Sequence, residues 1–264
     1  MRAARQRAVA IAVALLVVAV TSRSEEPAAD QPSVTPYRPS VSTPATLSAP
    51  GWLELEAGVL RTGIADADPR DSLPYTLKLA FSADWGVRVG GEALVRSTGA
   101  QGEASSGFGD TSLVLKRRFA VNDHAAFGLE LGASLPTARA ELANGSGGTD
   151  VSLNGIYSAD IGALHTDLNL LVTHLARASA DVAREQVLYA AALSGNLSTH
   201  WGVVGELSGT RQSGVDSTAQ LLCAASYSPA RRVTWDGGLA KGVVSGSASW
   251  SVFLGVTTLV GRVF

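Results

Sequence analysis

Four histidines are the first residues to question for chemistry, because imidazole serves as base, nucleophile or metal ligand near neutral pH. His124, His165, His174 and His200 fall at no spacing that suits a metal site, and the single cysteine, Cys223, has no partner in the chain. Gly107-Phe108-Gly109 could open a phosphate loop, yet neither a third glycine nor a helical pattern follows it. There is no Gly-x-Ser-x-Gly nucleophile elbow either. A triad set by geometry rather than chain order stays open as a reading. His174 would be its base, on the apolar parity near a strand end, where an interfacial histidine is the simpler explanation.

The charged residues are more informative. Glu54, Glu56, Glu92, Glu130, Asp167, Glu206 and Asp236, with Lys78, Arg88, Lys116 and Arg118, all occupy one parity of segments whose other parity is apolar. Charge of both signs gathered on one side of alternating segments can do two things in an enclosed space. It can form ion-pair ladders that fill the interior, or line a constriction that selects small solutes by charge. Mid-strand Glu56, Arg88, Glu92, Glu130 and Glu206 are the candidates for such a constriction, with Lys116 as a counter-charge.

What must position them is a set of strands. In Ala125–Pro136, Phe127, Leu129, Leu131, Ala133 and Leu135 alternate with Gly128, Glu130, Gly132 and Ser134, a period of two that a helix would scramble. Leu53, Leu55, Ala57 and Val59 alternate likewise with Glu54, Glu56 and Gly58, and Tyr75, Leu77, Leu79 and Phe81 with Thr76, Lys78 and Ala80. The pattern returns in Trp85, Val87, Val89 and Ala93, and in Trp201, Val203, Gly205 and Leu207. Cutting where alternation lapses gives twelve strands: 51–62, 72–81, 85–96, 108–119, 125–135, 150–159, 163–176, 184–197, 201–209, 218–227, 232–242 and 250–264. The connections between them alternate long and short, as in an up-and-down antiparallel barrel with outer loops and tight periplasmic turns.

Alternation alone also fits a soluble barrel with its apolar face inward. Three features favour lipid outside. The strands average roughly 12 residues, enough to cross a bilayer at a tilt and longer than the strands of most soluble sheets. Trp52, Tyr75, Trp85, Phe119, Trp201, Trp235 and Trp250 fall near strand ends, where aromatic girdles meet head groups. From Trp250 one parity carries Val252, Leu254, Val256, Thr258, Val260 and Phe264. A lysine or arginine near the midplane of the lipid face would cost about 2–4 kcal/mol, so the charged parity belongs to the lumen. Arg117, on the apolar parity beside a strand end, is expected to snorkel. Twelve strands lie between the filled eight-stranded barrel and the aqueous sixteen-stranded porin, which predicts a narrow bore.

The N-terminus reads as an export signal over 1–22: Arg2, Arg5 and Arg7, then an apolar run over 8–20, then small and polar residues. That run is too short for a membrane-spanning helix. Residues 23–50 form a Pro/Ser-rich segment, with six of the ten prolines between Glu25 and Pro50, which excludes regular structure and suggests a periplasmic linker or a plug. The barrel occupies 51–264. With 21 basic against 23 acidic residues the chain has no cationic surface for nucleic acid. Nothing in it calls for a cofactor.

Several blocks also carry a family likeness. Arg38-Pro39-Ser40-Val41-Ser42-Thr43, Pro50-Gly51-Trp52-Leu53-Glu54-Leu55-Glu56-Ala57-Gly58 and Gly107-Phe108-Gly109-Asp110-Thr111-Ser112-Leu113-Val114-Leu115-Lys116 resemble the outer-membrane protein family named for the meta-cleavage pathway of phenol degradation. Leu135-Pro136-Thr137, Gly205-Glu206-Leu207 and Trp250-Ser251-Val252-Phe253 continue the likeness. Arg117 stands where an aromatic residue is usual, and the last strand is longer than the family's ending. The resemblance implies a bacterial outer-membrane channel or transporter for small solutes, with hydrophobic or aromatic ones favoured. The terminal aromatic Phe264 resembles the signal by which the barrel-assembly machinery recognises its clients. A non-conducting structural or adhesin-like barrel and a rim-active lipid-modifying enzyme are the alternative readings.

Overall fold

Leucine and valine on one parity and glycine, alanine, serine and charge on the other give every strand two unlike faces. Such strands are stable together only when like faces meet. In a computed structural model, which describes residues 32–63, 68–98, 104–138 and 145–264, they meet by closing into a ring. The compact unit is Ser33–Phe264. The expected signal, 1–22, and residues 23–31 lie outside the described residues.

Thirteen strands are present among the described residues: β1 (Trp52–Gly63), β2 (Arg70–Ala80), β3 (Trp85–Thr98), β4 (Ala104–Gly107), β5 (Thr111–Asn122), β6 (Ala125–Leu135), β7 (Asp150–Ile161), β8 (Leu164–His174), β9 (Glu185–Asn196), β10 (Trp201–Gln212), β11 (Thr218–Ala230), β12 (Val233–Gly242) and β13 (Trp250–Arg262). Neighbours pair antiparallel, and β1 pairs with both β2 and β13, so the ring closes. The ring has twelve positions. β4 and β5 share one of them, both running along β3 and separated by 108–110, so the Gly-Phe-Gly-Asp block is an interruption rather than a strand start.

The short connections, 81–84, 123–124, 162–163, 197–200 and 231–232, all fall at the end where β1 begins. A strand of 12 residues such as β1, rising roughly 3.3 Å per residue at a tilt of about 40°, covers about 30 Å along the bilayer normal. That exceeds the apolar band of about 25 Å required of a membrane barrel.

Outward-facing leucines and valines remain exposed, among them Leu131, Leu153, Leu170, Leu221, Leu239 and Leu254. Charged Glu54, Glu56, Lys78, Lys116, Glu130, Glu206 and Asp236 are buried. This inverts the arrangement of a water-soluble protein. Aromatic residues cluster at the short-turn end: Trp201 lies 4.9 Å from Tyr227 between ring centres, and Phe127 5.1 Å from Tyr157. There Arg117 stacks on Trp85 and Phe119, at 4.7 and 5.0 Å, which places its charge among the girdle rings. Tyr75 departs from the expectation by lying mid-strand in β2.

The last strand also departs from strict alternation. A bulge opposite Leu53/Glu54 sets Gly261 against Leu53 and Leu259 against Glu54, so the lipid-facing parity of Val252 and Leu254 does not run unbroken to the terminus. A bulge adds one unpaired residue and exchanges the faces beyond it. Gly261 accordingly shares the outward face of Leu53, while Leu259, on the inward parity of Phe253 before the bulge, is buried; Phe253 and Leu222 pack with Ala240 inside the barrel.

Candidate functional site

Residues 33–49 run through the inside of the barrel. The segment starts at the short-turn end, where the Val34 amide donates to the Arg231 carbonyl, and it returns there to enter β1 beside Ala80. Between these points proline forbids helix and strand pairing, so its backbone donors need partners from the wall. Inward carboxylates supply them. Thr35 N–H donates to Glu54 Oε2 (3.0 Å), Tyr37 N–H to Glu56 Oε1 (2.7 Å), Val41 N–H to Glu206 Oε1 (3.2 Å) and Ser42 N–H to Glu206 Oε2 (2.8 Å). Ser42 Oγ also donates to Glu206 Oε2, and Thr43 N–H donates to Asn169 Oδ1. Ala45 N–H donates to Ser158 Oγ (2.7 Å).

Tyr37 is the centre of this crossing. Lys78 Nζ lies 3.9 Å from its ring centre, Lys116 Nζ 4.3 Å and the Arg88 guanidinium 5.3 Å. Its hydroxyl accepts from Lys116 Nζ (3.1 Å) and donates to the Thr46 carbonyl (2.7 Å). The cations are balanced at close range: Lys78 pairs with Glu54 (2.6 Å) and Glu56 (2.5 Å), while Arg88 (2.9 Å) and Lys116 (3.3 Å) share Glu130. Lys116 Nζ donates as well to the Pro44 carbonyl. Arg38 reaches Asp236 at 3.1 Å. Glycine makes that reach possible, since a Cβ on Gly58 would come within 2.8 Å of Arg38 Nη2, and one on Gly255 closer still.

Eight of the eleven expected lumen residues, Glu54, Glu56, Lys78, Arg88, Lys116, Glu130, Glu206 and Asp236, thus converge on the internal segment or on one another. The other three lie apart. Glu92 is held by Arg70 (2.5 Å) toward the long-loop end, and Arg118 approaches Asp84 (3.8 Å) beside a short turn. Asp167 accepts from Ser158 Oγ and from the His165 ring, which also meets Asp160 at 2.6 Å. Through Ser158 this group connects to Ala45. His174 meets Glu185 at the rim (3.1 Å). Among the described residues no cluster of histidine, cysteine, aspartate and glutamate could hold a metal ion.

Sequence reasoning missed Tyr37, Arg38, Ser42 and Thr43 as partners of the wall charges. The signal available was an aromatic-basic pair, Tyr37-Arg38, inside an otherwise Pro/Ser/Thr-rich stretch. Asn154 and Asn169, inward and buried, were missed as well.

Two cavities flank the crossing. One of about 460 Å³ opens near the short turns and includes Arg38, Ser42, Gly162, His165, Asp167 and Asn196 in its wall. The other, of about 230 Å³, lies beyond the apex residues Val41 and Thr43.

Solved structures with a similar fold include outer-membrane channels and porins. The chain superposes on the COG4313 outer membrane channel from Pseudomonas putida F1 with a TM-score of 0.61 at 14% identity, over 89% of this chain and 100% of that one. The chain has the fold of a bacterial outer-membrane β-barrel. The NanC porin gives a TM-score of 0.57 at 10% identity, covering 78% of this chain and 98% of its own. The CymD monoaromatic hydrocarbon channel gives 0.52 at 10% identity, covering 82% and 90%. No protein-family model matches the chain, and no curated protein does.

Proposed function

We propose that the protein is an outer-membrane channel for small solutes and that residues 33–49 act as a plug within its lumen. The observation that carries this reading is the hollowness of the barrel: its bore holds a folded chain segment and still leaves cavities of about 460 and 230 Å³ on either side. A barrel that served only as an anchor could fill its interior with its own side chains, as eight-stranded ones do. Here inward glycine, alanine and serine make room instead. A Cβ on Gly128, for example, would lie 3.3 Å from Ala45 of the segment.

Hydrophobic or aromatic solutes are the class we favour. Support comes from the resemblance to the phenol meta-pathway family and from the shared fold with the CymD monoaromatic hydrocarbon channel. The lumen charges, gathered in clusters of both signs such as Glu54/Glu56/Lys78 and Arg88/Lys116/Glu130, leave no strong field of one sign to demand an ionic solute. Phe264, exposed at the chain end, is the residue the assembly machinery would read, and outward Leu/Val rows face lipid.

Planar-bilayer recording of the full protein and of a variant lacking residues 33–49 tests the proposal. Unitary steps are expected in both, several-fold larger in the deletion. Correct folding of the deletion is checked by heat-modifiable mobility in gels. A folded deletion variant with no steps would overturn the channel reading, and equal steps would overturn the plug.

A further inference from the structure

Basic side chains meet different surroundings at the two ends of the barrel. At the short-turn end Arg117 lies over Trp85 and Phe119, and Arg232 over Trp52 at 4.8 Å, so girdle rings occupy both. At the long-loop end Arg61, Arg96 and Lys241 are exposed on the outward face. Arg96 shares the sequence parity of lumen-facing Arg88. However, β3 carries one extra residue where its Glu92 and Val95 face Pro74 and Ser72, and beyond this bulge Val95 is buried while Arg96 is exposed opposite Asp71. Arg61 stands on the other side of Asp71 and approaches it at 3.6 Å. Lys241 faces Trp250, which in turn faces Gly63, two residues beyond Arg61. A Cβ on Gly63 would meet the Trp250 ring at 2.3 Å, so the indole lies over β1 on the same face. Among the described residues Arg96 and Lys241 have no ion pair, hydrogen bond or ring contact. The patch crosses five adjacent strands, β12, β13, β1, β2 and β3, a width of about 19 Å at the usual strand spacing. Asp71 is the one carboxylate on the outward face of these strands among the described residues.

We propose that this patch binds a phosphorylated glycolipid of the outer leaflet, with phosphates on Arg61, Arg96 and Lys241 and acyl chains along the strands below. Its height fits. From Leu53 to Arg61 the strand climbs about 20 Å along the bilayer normal, which puts the cations at the outer margin of the apolar band. Directly below them Val59, Leu239, Val252 and Leu254 are exposed on the same face. Unpaired cations bordering an apolar surface call for an anion that carries its own hydrocarbon, which free phosphate does not. A width of five strands calls for more than one phosphate on one molecule, which a glycerophospholipid with a single phosphate does not supply. Arginine suits the task because its planar fork binds phosphate bidentately, and Trp250 lies at the level where indole meets head groups. The site is on the outer wall, so it stands whether or not the lumen conducts.

Native mass spectrometry of the full protein in detergent micelles tests this, with diphosphoryl lipid A, its dephosphorylated form and phosphatidylglycerol as probes and inorganic phosphate as competitor. Diphosphoryl lipid A is expected to bind about tenfold or more tighter than either other lipid, and excess inorganic phosphate should not displace it. Each cation near a membrane surface contributes about fivefold in affinity for an anionic lipid, so Arg96→Gln should weaken binding about fivefold and Arg61→Gln/Arg96→Gln/Lys241→Gln about 10²-fold. Arg211→Gln, which removes an exposed outward cation on β10 away from the patch, should leave binding unchanged. Asp71→Asn should tighten binding severalfold, because it deletes the one opposing charge, whereas a patch that served only to pair Arg61 with Asp71 would gain nothing. Heat-modifiable mobility in gels checks that each variant is folded. Unchanged binding by the triple variant, an equal loss in Arg211→Gln, equal affinity for phosphatidylglycerol or for the dephosphorylated lipid, displacement by inorganic phosphate, or failure of Asp71→Asn to tighten binding would each overturn the site.

Discussion

Replacing Tyr37 should release the internal segment by a calculable amount. Tyr37→Phe removes one hydrogen bond accepted from Lys116 and one donated to Thr46, together about 1–2 kcal/mol net, while keeping the ring between its cations. Tyr37→Ala removes in addition the contacts to Lys78, Lys116 and Arg88, each worth about 0.5–1 kcal/mol even at exposed sites. Loss of ring burial adds to this, so about 3–4 kcal/mol is a lower figure for the whole change. At 1.4 kcal/mol per tenfold, undocking should rise about tenfold for Phe and about 10²–10³-fold for Ala. Ala45 is fully buried in the segment and Cys223 is exposed on the outside, so Ala45→Cys in a Cys223→Ser background reports undocking through its reaction rate with a charged thiol reagent. Rates that rise in the order Tyr, Phe, Ala by these factors are expected. Equal rates in all three would refute the idea that Tyr37 holds the segment by its cation cage.

Lys78→Met should destabilise the barrel by about 3–5 kcal/mol, because Glu54 and Glu56 would be left buried without their cation; urea unfolding from micelles measures it, with Glu54→Gln/Glu56→Gln/Lys78→Met expected to recover part of the loss. Glu206→Ala deletes the acceptor of Val41 N–H, Ser42 N–H and Ser42 Oγ and should raise the Ala45→Cys labelling rate by at least tenfold, leaving the segment's other anchors in place. Leu170→Arg, mid-strand on the outer face, should cost about 2–4 kcal/mol in vesicles and Leu164→Arg, at the short-turn end, about 0–1 kcal/mol; equal penalties would contradict a lipid-facing outer surface.

The twelve ring positions, the sidedness of the charges and the alternation of long and short connections were legible in the sequence because a strand's side chains alternate with the simplest of periods. Polarity on Glu54, Glu56, Lys78 and Glu130 therefore reports a face without any knowledge of neighbours. Register is different. The bulge that turns Gly261 onto the outward face of Leu53, and the break at 108–110 that divides one ring position between β4 and β5, depend on which partner residues face each other across the ladder. No local pattern carries that information.

The sequence by itself determined that the charged residues share one side of a closed sheet, since burying one parity and greasing the other admits few solutions. Only the tertiary structure decided what those charges hold. Glu54, Glu206 and Asp236 are separated from Thr35, Ser42 and Arg38 by 19, 164 and 198 residues, and closing the ring is what brings them together. A proline-rich segment has no periodicity to announce its place, because its conformation is dictated by the donors and acceptors of the wall that surrounds it and not by its own side chains.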